Sequence, residues 1–157
     1  MLSPVYMKGI SYTVMKSPSN SPYELNPEDK MPTDKQPAIR VLAMPADTNA
    51  AGDIFGGWLM SQVDIAGSII AYRYAEGRVV TVAVNNFEFI KPVYVGDLVS
   101  LFADLTHVGN SSMKIAVTAY AERNRGENDC HRVAHADLTY VALDSDRKPR
   151  AISKLKS

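Results

Sequence analysis

Cysteine is almost missing from this chain of 157 residues. Cys130 stands alone, so no disulfide can close within the chain and a reducing compartment is expected. With no Cys-x-x-Cys pair beside it, its ordinary reading is a small strand residue. An excess of one charge is missing too: seventeen Lys and Arg balance seventeen Asp and Glu. That removes the electrostatic signature of nucleic-acid or membrane-surface binding. No window reaches the roughly 18 apolar residues of a membrane span. Ser3, Pro4, Lys8, Gly9 and Ser11 interrupt any apolar stretch that a signal peptide would need. Cytoplasmic localisation is the expectation, with neither nucleic acid nor membrane as partner. Histidine is scarce as well. His131 and His135, four apart on a predicted strand, share a face, but neither they nor His107 have metal-ligand company, so no metal is expected.

What is present is enough for a core: 46% of the residues are hydrophobic, in a chain of single-domain length. Six of the nine prolines fall in residues 1–37, which read as a disordered or loosely packed tail. Residues 38–152 form the expected domain and 153–157 a short C-terminal tail. Ile39 to Met44 reads as a strand stopped by Pro45. From Phe55 apolar residues recur at helical spacing through Leu59, Val63, Ala66 and Ile70, giving a helix to about Ala75 that Gly77 is placed to end. The period then changes to two. Arg78–Ile90, Leu98–Val108, Ser112–Arg123 and Cys130–Leu143 read as strands, and their short joints require antiparallel neighbours. The fold class is α+β, one long helix across a five- to six-stranded antiparallel sheet. Long bare edges on so small a sheet call for a partner, so a homo-oligomer is expected.

The segment from Asp47 to Asp64 breaks local rules most densely. Two adjacent glycines, Gly56 and Gly57, open the helix at a cost of about 1 kcal/mol each relative to Ala. An acid, Asp64, follows among Met, Val and Ile. Such violations concentrate at functional sites. Asp64 lies one turn from Met60 on one side and from Gly67 and Ser68 on the other, which suggests room beside the carboxylate for a substrate. A carboxylate there can act as general base on water or as a nucleophile. Gly56 and Gly57 expose the helix start, whose N–H groups can polarise a carbonyl oxygen. Asn49 has an ordinary reading as a turn former, and Asp53 as a capping or loop acid. Gly109-Asn110-Ser111-Ser112 reads as a hairpin turn that, with Lys114, offers donors to a phosphate.

The string Met44-Pro45-Ala46-Asp47-Thr48-Asn49 through Phe55-Gly56-Gly57-Trp58 to Ser61-Gln62-Val63-Asp64 resembles that of hotdog-fold acyl-CoA thioesterases of the YciA type. Arg78 to Val82, Lys91 to Asp97, Val108 to Ser112 and Tyr140 to Asp144 match in the same order, so the resemblance spans residues 38–152. It implies a hotdog fold and hydrolysis of fatty acyl-CoA to free acid and coenzyme A. It further implies Asp64 as the catalytic acid, with Asn49 acting across a subunit interface. The thioester would lie on Gly56 and Gly57, and coenzyme A near Asn110, Ser111, Ser112 and Lys114. No cofactor is implied beyond coenzyme A as part of the substrate. The dimer is the implied minimal active unit, with a trimer of dimers above it. Many members carry an acid where this chain has Val84-Asn85-Asn86-Phe87, so no role passes to that strand. Two competing functions stand beside this one. A hydratase or dehydratase on the same fold needs a helix histidine, which is missing here. A non-catalytic acyl-CoA sensor has no need of Asn49, Gly56, Gly57 and Asp64 together.

Overall fold

The computed structural model describes residues 3–7, 10–14, 30–124 and 129–153. Most of the tail expected over 1–37 lies outside these, as do residues 154–157. Within the N-terminal stretch, β1 (Ser3–Met7) and β2 (Ile10–Val14) pair antiparallel with each other. The domain proper runs through β3 (Ile39–Leu42), a 3-10 turn (Pro45–Asp47), α1 (Gly56–Ala75), β4 (Val79–Phe89), β5 (Leu98–Val108), β6 (Ser112–Glu122) and β7 (Cys130–Ala142). The last five strands form one antiparallel sheet in the order β3-β5-β6-β7-β4. The helix lies across one face of it and touches β4, β5, β6 and β7. These elements stand where the periodicity places them.

Alternation explains the packing. Met113, Ile115, Val117, Ala119 and Ala121 on β6 are fully buried beneath the helix, whose Val63, Ala66 and Ala71 are buried in turn. Lys114, between two of those core residues, is on the opposite face of the sheet. Leu101, Leu138 and Tyr140 complete the centre of the core. Fully burying a side chain of the Leu or Val kind is worth about 1.5–3 kcal/mol, so this layer is the main source of stability.

Two local expectations need correction. The left-handed residue at the end of α1 is Glu76 (φ 50°), one position before the glycine. Gly77 follows it at φ 157°, a backbone conformation that itself favours glycine, and a Cβ there would also stand 3.0 Å from Nη2 of Arg150. That guanidinium donates to the carbonyls of Ala75 and Leu143, closing the helix end. At the other end the N-cap is Phe55, without a side-chain cap. Asp53 is a loop residue and caps nothing: its N–H reaches Asn49 Oδ1 and its carbonyl accepts the Asn49 N–H.

Candidate active site

Asp64 is half-buried in the middle of α1, above the sheet. Thr81 and Tyr140 lie directly opposite each other on β4 and β7, so both hydroxyls rise from one point beneath it. Thr81 donates to Asp64 Oδ1 at 2.7 Å. The Tyr140 hydroxyl reaches the same Oδ1 at 3.0 Å and the Asp64 backbone carbonyl at 2.9 Å. Two donors therefore converge on one carboxylate oxygen, while Oδ2 has no partner among the described residues. Burial above all, and then the Asp64 charge, hold the Tyr140 hydroxyl far above the usual tyrosine range. It stays a neutral donor at any working pH.

A Cβ on Gly67 would overlap the Tyr140 hydroxyl, so the space left by that glycine belongs to the tyrosine. One turn further along the helix a groove of about 400 Å³ is bounded by Ser68, Ile69, Tyr72, Arg73 and Val79, and Asp64 does not line it.

Gly56 and Gly57 are exposed at the helix start, and their N–H groups have no acceptor among the described residues, as the geometry of a helix terminus requires. The two glycines differ. A Cβ on Gly56 would press to 3.2 Å on the Phe89 ring, whereas nothing lies within 4 Å of one on Gly57. Beside them is a smaller cleft of about 220 Å³, lined by Phe55, Leu59, Phe89, Lys91 and Val93 among others.

Asn49 shapes its own loop. Its Oδ1 accepts the N–H groups of Ala51 and Asp53 at 2.9 and 3.2 Å. Within one chain no hydrogen bond joins it to Asp64 among the described residues. The hairpin at Gly109–Ser112 is tied to the C-terminal segment: carbonyls of Asn110 and Ser111 accept the N–H groups of Ile152 and Ala142. Lys114 is exposed on the sheet face away from the helix, so in its own protomer it points away from Asp64.

Among the described residues no three His, Cys, Asp or Glu side chains gather as metal ligands. His131 and His135 do not share a face after all. The register slips between Ala119 and Tyr120, where β7 carries an extra residue, so His131 lies opposite Ala121 and His135 opposite Thr118. His131 meets Asp129 at 2.8 Å and His135 meets Thr118 at 3.0 Å.

Sequence reasoning missed Thr81 and Tyr140 as parts of this site. They stand 17 and 76 residues from Asp64. The available signal was the tyrosine itself, placed by alternation at a buried position where its hydroxyl must find a partner.

The model of the Thioesterase superfamily matches residues 51–127. The acyl-CoA thioester hydrolase YciA of Escherichia coli (strain K12) is 47% identical over 116 residues, 73% of this chain and 88% of that protein. A hexameric thioesterase of Yersinia pestis superposes with a TM-score of 0.74 at 48% identity, over 79% of this chain and 99% of that one. An acyl-CoA hydrolase of Staphylococcus aureus, solved with butyryl coenzyme A, coenzyme A and coenzyme A disulfide, gives 0.68 at 32% identity, over 73% and 69%. Alanine variants of that enzyme at an asparagine, an aspartate and a threonine are also solved. Fold, helix motif and relatives agree: the chain belongs to the hotdog-fold thioesterase superfamily, among its acyl-CoA thioester hydrolases.

Proposed function

We propose that Asp64 carries the hydrolysis of a fatty acyl-CoA, activating water as general base or attacking the thioester itself. The observation behind this is a half-buried carboxylate with Oδ1 held by two donors and Oδ2 open. Gly57, exposed at the helix start with nothing within 4 Å of where a Cβ would stand, polarises the thioester oxygen, with Gly56 shaping the approach. The free acid and coenzyme A leave as products. The three residues substituted in the Staphylococcus enzyme stand in the order Asn, Asp, Thr at spacings of 15 and 17. Asn49, Asp64 and Thr81 stand in the same order at the same spacings here.

We assign the working unit to a dimer formed on the β4 edge, with three dimers in the hexamer. β4 is an edge strand of the sheet and bears exposed Val80, Val82 and Val84 beside Thr81. A second copy added there would lie one strand spacing, about 4.8 Å, from the strand that bonds Asp64. Asn49 then serves its partner's Asp64. Asn110, Ser111, Ser112 and Lys114 take the coenzyme A phosphates from a neighbouring protomer, since Lys114 faces away from its own Asp64. The reaction uses no cofactor, and the single cysteine favours the cytoplasm as its compartment.

The experiment is Asp64→Ala assayed by thiol release. Loss of a general base costs about 100- to 10,000-fold in rate. A folded variant with near wild-type turnover would remove Asp64 from the mechanism.

A further inference from the structure

We propose that Tyr140 is a positioning residue for the reaction: its hydroxyl, admitted by the missing side chain of Gly67, locks the Asp64 carboxylate so that Oδ2 alone meets the substrate. The inference rests on the reading of Asp64 as base or nucleophile and adds to it the device that aims the carboxylate.

Four observations carry it. The Tyr140 hydroxyl bridges two atoms of one residue, the backbone carbonyl and Oδ1 of Asp64, at 2.9 and 3.0 Å. The hydroxyl has one proton to share between these two acceptors, and it holds the carboxylate against the rigid sheet beside the helix backbone. Tyr140 is fully buried at the centre of the core, so its ring cannot drift. Gly67 is the only reason the ring fits, because a Cβ there would collide with the hydroxyl and come within 3.1 Å of two ring carbons. Thr81 supplies a second bond to Oδ1 from the facing strand, which leaves Oδ2 as the open oxygen. Of the two groups bonded to this carboxylate only Tyr140 titrates, and it remains protonated far beyond neutral pH.

The test compares Tyr140→Phe, Gly67→Ala and the double variant with Asp64→Ala, using kcat, KM and melting temperature. Tyr140→Phe keeps the ring and loses the bond. The expected result is a kcat about 10- to 100-fold lower with KM unchanged, the scale of cost for a misplaced reacting group. Gly67→Ala breaks the same bond from the other side and gives the same loss of kcat at unchanged KM. In the double variant the two losses do not multiply. An unchanged kcat in Tyr140→Phe, alongside an inactive Asp64→Ala, would overturn the positioning role and leave the role of Asp64 standing. Losses that multiply in the double variant would overturn it as well. An active Asp64→Ala would overturn both readings.

Discussion

At the scale of single residues, the site is a compromise between burial and charge. Asp64 sits in an apolar helix that on its own would reject an acid, and the fold answers with two hydroxyls instead of a cation. The cost falls on Tyr140, whose proton is held by burial first and by the neighbouring carboxylate second. Linkage gives this a measurable form. The folded chain binds the Tyr140 proton more tightly than the unfolded chain, whose tyrosine titrates near 10. The stability it contributes is therefore complete below about pH 10 and is lost as pH rises above that value. Chemical denaturation of wild type and Tyr140→Phe across alkaline pH should show the variant losing stability less steeply, by about one proton in the slope. Parallel slopes would mean that the hydroxyl ionises as readily in the fold as outside it.

At the scale of elements, the helix and five strands are legible because each carries its own period and its own punctuation. Pro45 and Pro92 stop strands, the Gly56-Gly57 pair opens a helix, and β6 alternates from Ser112 to Ala119. Contacts between elements leave no such trace. The meeting of Thr81 with Tyr140 depends on strand register, and β7's extra residue near Val133 turns the face of His131 without any break in composition. Gly67 was visible as a small residue, but what fills its space comes from 73 residues further along. The helix end shows the same limit. Glycine marks the stop, yet Arg150 from beyond the last strand does the closing, with donors to Ala75 and Leu143 carbonyls. Arg150→Ala should lower stability by about 1–3 kcal/mol, the cost of stranding buried carbonyls. Ala75 lies 11 residues beyond Asp64, about 16 Å along the axis, so kcat measured well below melting should stay within about two-fold. A large loss of kcat without loss of stability would show that the helix end is coupled to the site.

At the scale of the whole molecule, one protomer carries Asn49 and Asp64 on separate elements, with no hydrogen bond between them among the described residues. Deleting residues 1–36 should leave activity and assembly intact. Among the described residues the deletion removes the β1–β2 hairpin, which forms a sheet of its own, and an exposed ion pair between Lys35 and Asp104; such pairs contribute about 1 kcal/mol at most. Dissociation on truncation would make this segment part of the assembly. The sharing of the site between protomers has its own test. Asn49 is bonded to its own loop and not to Asp64, while the β4 edge beside Asp64 is bare, with Val82 55% exposed. If a second copy covers that edge, Asn49→Ala and Asp64→Ala each damage both sites of their own homodimer. A mixed dimer differs: one of its sites collects both substitutions and the other draws Asn49 and Asp64 from undamaged chains. Random exchange of equal amounts makes about half of the dimers mixed, each with one sound site, so activity should climb to roughly a quarter of wild type. The measurement is thiol release after subunit exchange, with the mixed species confirmed by mass spectrometry. Confirmed exchange without recovered activity would place Asn49 and Asp64 in the same protomer's site.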